Sequence, residues 1–274
     1  MSFRWFVVLG LVASVVLVGT TLSDRTPLRS EYCVASVNGV RAQVDLEQGQ
    51  WAALMSAIAQ QRGLPPRATT IAIATAFQES KIHNIDYGDR DSIGLFQQRP
   101  SQGWGTVEQI IDPWYAIGKF YDALVKIDGY ESMEITKAAQ KVQRSAFPGA
   151  YAQHEDYARA LASSLRGYSP AKFTCQINPE GGGSTTTVVK DVRKAFGDIE
   201  VARDGDDATY PLEGKADDVR ARGWAIAHYL VGNAARLGIT SISFDGRTWT
   251  ASSSHEGWQK DPDAGPSTVR VSTN

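Results

Sequence analysis

The sequence is short of the groups that build metal centres and of any excess of charge. It has 2 Cys and 4 His in 274 residues, and neither cysteine has a partner at C-x-x-C spacing. His83 and His154 flank the middle of the chain without further ligands at metal-like spacing, so no metal or other cofactor is expected. Formal net charge is -2, with 28 Lys+Arg against 30 Asp+Glu. That balance supplies no basic surface for nucleic acid, and no Lys/Arg-rich run suggests an anionic lipid surface. No internal repeat is visible.

The one long apolar run is at the start. Trp5 to Leu22 is uninterrupted by charge and follows Arg4. It is roughly long enough to cross a bilayer. Val18-Gly19-Thr20 and Gly19-Thr20-Thr21 are middling as cleavage sites. Residues 1–24 are therefore expected to be an uncleaved signal anchor with the bulk of the chain extracytoplasmic, cleavage and secretion being the alternative. Export makes a Cys33–Cys175 disulfide the simplest use of the two cysteines, two separate buried thiols being the other. Closing so long a loop would stabilise by roughly 4 kcal/mol.

Residues 25–44 read as an extended polar tether. From Leu46 the period turns helical: "LEQGQWAALMSAIAQQRGL" stops at Gly63 and Pro65-Pro66, and "RATTIAIATAFQES" restarts at once. "DPWYAIGKFYDALVKI" opens with Asp112 as N-cap and Pro113 in the first turn. "EITKAAQKVQRS" and "YAQHEDYARALASSL" read as two further helices. Residues 45–176 thus form a mainly α, all-helical unit with one long loop after Glu79. A Gly/Ser/Thr linker at 177–188 separates it from a small α+β unit at 189–274. There "ADDVRARGWAIAHYLVGNAARLG" is an amphipathic helix, and "ITSISFDGRTWTAS" is a hairpin turning at Asp245-Gly246.

"FQESKIHNIDYGDRDSIGLFQQRP" carries the chemistry. Breaking a glycosidic bond needs an acid that holds its proton until the leaving oxygen takes it, and apolar walls do this for a carboxyl. Glu79 ends an apolar helix, with Phe77 and Ile82 available as walls. Beside it, Tyr87-Gly88-Asp89-Arg90 and Gly94-Leu95-Phe96-Gln97 place glycines where backbone can approach a ligand. Gln97 and Gln98 can hydrogen-bond sugar hydroxyls, and Asp89 or Asp91 could position a water or stabilise positive charge on the sugar. Trp104 and Tyr87 can each stack on a sugar face or pin the loop.

"ES" followed by "GLFQ" resembles the signature of soluble lytic transglycosylases and goose-type lysozymes, and "YGDRDSIGLFQ" is similar to the goose-type loop. The resemblance spans about residues 45–168. It implies a lysozyme-like helical fold that cleaves the MurNAc-GlcNAc β-1,4 bond of peptidoglycan glycan strands. By position, Glu79 matches the catalytic acid, Asp89 the water-positioning acid and Gln97 the signature glutamine, and Tyr151 stands where a family tyrosine is expected in space. Gln140, Val142 and Gln143 occupy the place of the family's Ala-Tyr-Asn, and Arg99 the place of a second acid. The product, hydrolysed or 1,6-anhydro, stays open. The C-terminal part resembles a cell-wall module of actinobacteria, distantly related to zinc carboxypeptidases, but "DAGPSTVRVS" lacks its histidines. A binding role, or docking of an envelope protein, is the expectation there.

Overall fold

In a computed structural model the described residues are 30–145, 149–178 and 182–274. The segment read as a tether forms two strands, β1 (Tyr32–Val37) and β2 (Val40–Val44), joined at Asn38-Gly39. Both turn residues have positive φ, 49° and 81°, the twist that suits a two-residue hairpin. The expectation of an all-helical unit is therefore overturned: the described residues are about 46% helix and 17% strand, with two antiparallel sheets. The Asn-Gly signal sat between apolar alternations, but the reading carried the tether on from the apolar N-terminus. The expected membrane anchor, 1–24, lies outside the described residues. Among the described residues no helix is long and apolar enough to cross a membrane.

Helix α1 (Leu46–Gln61) starts on a capping box, in which Gln48 N–H donates to Asp45 and the Gln48 side chain returns to Asp45 N–H. Every residue from Ala52 to Ala59 is buried, so α1 is a central helix rather than a surface one. Around it lie α2 (Pro66–Ser80), α4 (Pro113–Leu124) and α6 (Glu155–Leu165). Short α3 (Val107–Ile111) leads into α4, and α5 (Ile135–Gln143) packs on α2 and α4. Asp112 caps α4 through Trp114 N–H at 3.0 Å.

Strand β3 (Phe173–Gln176) returns to pair antiparallel with β1, giving the order β2-β1-β3. Cys33 and Cys175 are register partners and form a disulfide, S–S 2.02 Å. Gly49 of α1 lies directly on it: a Cβ there would meet Cys33 Sγ at 2.6 Å.

The C-terminal part adds α7 (Thr185–Phe196), β4 (Ala202–Asp204), β5 (Asp207–Pro211), α8 (Ala216–Gly232), α9 (Ala234–Leu237), β6 (Ser241–Phe244), β7 (Arg247–Thr250), β8 (Gln259–Lys260) and β9 (Thr268–Ser272). Its six-stranded sheet runs β4-β5-β9-β6-β7-β8, with the β6–β7 turn at Asp245-Gly246. It does not stand apart. Helix α8 packs on α1 and α6, and buried side chains from Cys33 to Val271 make one continuous core. Trp258 and Trp249 donate their indole N–H groups to Phe173 O (2.9 Å) and Cys175 O (3.1 Å). Two tryptophans thus satisfy the outer carbonyls of β3, an edge that would otherwise lack partners.

His228, in the C-terminal third of α8, is completely buried and bonds Ser164 O at the end of α6 through Nδ1, 2.7 Å. Burial pushes it from the ordinary 6.5 to about 4, opposed by the Ser164 hydrogen bond. A neutral ring therefore donates from Nδ1, leaving Nε2 without a partner. The unfolded chain binds this proton below about 6.5 and the folded chain only below about 4. Stability should fall as pH drops through that window, by about 3 kcal/mol in total. Urea unfolding at pH 7 and pH 4.5 checks it. The loss between the two should shrink in His228→Phe, which lowers stability at both because Ser164 O loses its donor.

Candidate functional site

Helix α2 is buried on all sides from Ala68 to Ala76 and becomes partly exposed at Phe77, Gln78 and Glu79. It ends because Lys81 and Ile82 both enter the left-handed region, φ 56° and 57°. Ile82 N–H closes back on Ala76 O at 3.0 Å and Lys81 N–H on Phe77 O at 3.1 Å, so the last carbonyls are satisfied without a glycine at the helix end. A β-branched residue at that φ costs of order 1–3 kcal/mol and survives only where its surroundings over-determine it. Complete burial of the Ile82 side chain supplies that constraint. Ser80 Oγ donates to Leu95 O at 2.8 Å, fastening the helix end to the following loop.

That loop is tied together from within. Gly94 N–H donates to Ile85 O (2.6 Å), and Ile93 and Gln98 exchange backbone hydrogen bonds at 3.0 Å each. Leu95 and Phe96 are fully buried, and the Phe96 ring stacks on Phe120 at 4.4 Å. Asp91 accepts from Ser101 N–H (2.8 Å) and Arg99 Nε (2.7 Å). These bonds, Ser101 first, hold its carboxyl far below the usual carboxylate range. Asp91 is thus the loop's clamp, and Arg99 is its partner.

Opposite the tail of α2 lies the segment leading into α6. Tyr151 is fully buried, and its Oη donates to Glu79 Oε1 at 2.7 Å. Burial raises the phenol well above its ordinary value, with Ser145 and Glu79 as its hydrogen-bonding neighbours, so it remains a donor at any physiological pH. Gln78 Oε1 accepts from Gln153 Nε2 and meets His154 Nε2, both at 3.1 Å. The His154 ring stacks on Phe77, centroids 5.6 Å apart, and burial draws its pKa down. Three consecutive residues of α2 are therefore met by residues 151–154. Glu79 is half-buried, and among the described residues Tyr151 is the group that hydrogen-bonds its carboxyl.

Glu79 and Tyr151 are brought together; other predicted site residues are not. Gln97 folds into its own loop, donating to Tyr87 O (3.2 Å) and Gly94 O (3.3 Å), with φ 48°. Gln98 is buried and donates to Ala116 O at 3.2 Å. Asp89 stands in solvent, its side chain 91% exposed and 3.9 Å from Arg90. Tyr87 is 69% exposed on the same loop. Trp104 is half-buried against the core, its carbonyl accepting from Tyr115 Oη at 3.1 Å. Sequence reasoning missed the Ser80 link and the bond from Gln143 Nε2 to Phe96 O (2.7 Å). The serine after Glu79 was the available signal for the first; nothing local marks the second. Among the described residues no three His, Cys, Asp or Glu side chains converge as a metal site requires.

Residues 177–271 match the family model described as VldE, C-terminal domain. The match covers the part of the chain that supports β3 and α6, and leaves the Glu79 site outside it. No curated protein matches the chain.

Gly88 lies against Gln97: a Cβ would sit 1.9 Å from Gln97 Oε1 and 2.5 Å from Ser92 O. Gly88→Ala should cost about 1–3 kcal/mol, read as a shifted urea midpoint. Adding Gln97→Ala should recover part of the loss, since the side chain gives way but the Ser92 carbonyl does not.

Proposed function

We propose that this protein cleaves the β-1,4 bond between MurNAc and GlcNAc in peptidoglycan, as a lytic transglycosylase. The observation that carries the reading is the Glu79 carboxyl, half-buried at the end of α2 with one oxygen fixed by Tyr151 Oη at 2.7 Å. A carboxylic acid acting on a glycosidic oxygen must be aimed before the substrate arrives. Tyr151 fixes the carboxyl's rotation, leaving Oε2 to face the sugar. The resemblance of "ES", "GLFQ" and the Gly-Asp-Arg loop to the transglycosylase and goose-type family supplies the substrate class. The Cys33–Cys175 disulfide agrees with work outside the cytoplasm, where the wall is.

In this reading Glu79 gives its proton to the GlcNAc O4 as the bond from MurNAc C1 breaks. The MurNAc C6 hydroxyl then attacks C1, forming the C1–O6 bond of a 1,6-anhydro ring, and its proton returns to Glu79. The exposure of Asp89 favours this internal attack over hydrolysis, because a water held by a solvent-exposed carboxylate is poorly placed.

Digestion of purified sacculi, followed by mass spectrometry, tests the assignment. Released muropeptides should end in a sugar one water lighter than a reducing end. Glu79→Gln should lower the rate by about 100-fold or more, the scale of a lost general acid, and Tyr151→Phe by about 10- to 100-fold through lost aim. Products with reducing ends would replace the internal attack by hydrolysis. Absence of release by the wild-type chain would leave a glycan-binding or envelope-docking protein; the inward-turned Gln97 and Gln98, which offer no amide to a sugar, favour the docking one.

A further inference from the structure

A cleft of about 690 Å³ is lined among others by Gln102, Trp104, Lys126, Lys141, Gln143 and Arg144. Three of these are cations, and no acidic side chain lines it. Lys126, Lys141 and Arg144 are exposed, and none is in an ion pair among the described residues. That is a local concentration of positive charge on a chain whose net charge is -2. Arg144 is held there by backbone: it caps α5 at φ 52°, its N–H closed on Gln140 O at 2.8 Å. Trp104 gives the cleft an apolar wall and also lines an adjoining hollow with Lys119 and Asp122, the latter paired with Arg62 at 2.6 Å.

The cleft is connected to Glu79 through hydrogen-bonded neighbours. Gln143 hydrogen-bonds the Phe96 carbonyl. Arg144 precedes Ser145, which hydrogen-bonds Tyr151, the donor to Glu79. Arg144 on the cleft wall and Glu79 are thus linked by one peptide bond and two hydrogen bonds, through Ser145 and Tyr151. Unpaired cations beside an aromatic face suit carboxylates on a chain with apolar parts.

Resting on the glycan reading above, we propose that the Trp104 cleft is a second binding site. It takes the carboxylates of the acidic peptide that branches from the glycan strand. Lys126, Lys141 and Arg144 supply the charge, and Trp104 the apolar contact.

Calorimetric titration of the full-length Glu79→Gln chain tests this without cleavage. The probes are a GlcNAc-MurNAc tetrasaccharide bearing tetrapeptides, the same sugar stripped of peptide, the free tetrapeptide and poly(glycerol phosphate). The peptide-bearing sugar should bind about 10-fold tighter than the stripped one, with a margin that shrinks as salt rises. Lys126→Ala/Lys141→Ala/Arg144→Ala, all at exposed positions, should reduce the margin to about 1, and Lys141→Arg alone should keep it. Equal affinity for the two sugars, a margin that survives the triple change, or tighter binding of free peptide or poly(glycerol phosphate) would overturn the proposal. An intact margin in a protein that releases no muropeptide would support the peptide site while removing the cleavage reading.

Discussion

The hydrogen bond from Tyr151 Oη to Glu79 Oε1 is the contact on which the rest of the site depends. A carboxyl on the last turn of a helix has several rotamers and open solvent available to it. Here a buried phenol, kept protonated by its own burial, selects one of them. The neighbouring contacts of Gln78 with Gln153 and His154, and of Phe77 with His154, bring the phenol to within reach. Tyr151 lies 72 positions from Glu79, so its position is a matter of tertiary packing.

That packing runs through the whole molecule. Residues 151–154 lead directly into α6, and the far end of α6 is bonded to His228 of α8. Helix α8 in turn lies across α1, close enough that a Cβ on Gly232 would sit 3.2 Å from the Ala53 methyl. The tryptophans of the C-terminal sheet hold β3 from outside, and the disulfide holds it to β1 from within. The C-terminal part is thus the buttress of the helix that positions Tyr151. The match of residues 177–271 to a family model falls on this buttress and leaves Glu79 outside it.

Much of this was legible where the cause is local. The Asp112-Pro113 start of α4 and the Asp245-Gly246 turn follow from a cap and a turn a few positions long, whereas α2 ends on Lys81 and Ile82, which carry no such signal. The cysteine pair was legible from compartment and count. The first sheet was not, although Asn38-Gly39 is a strong hairpin signal, because β1 finds its second partner, β3, far along the chain. The loop residues misled for a related reason. Gln97, Gln98 and Asp91 are the polar types that hold sugars, yet Gln97 is used by the loop's own backbone, Gln98 by Ala116 of α4 and Asp91 by Arg99. A loop with a fully buried Leu-Phe pair must satisfy its carbonyls and N–H groups internally, and no local pattern says which polar side chains are taken for that.

The central claim is that the glycan's scissile oxygen comes to Glu79. A crystal structure of the Glu79→Gln chain with a GlcNAc-MurNAc oligosaccharide tests it most directly. The account predicts the glycosidic oxygen within about 3 Å of the residue-79 side chain, with Tyr151 still hydrogen-bonded to it. A saccharide seated away from α2, or a residue 79 turned from it toward solvent, would contradict the account.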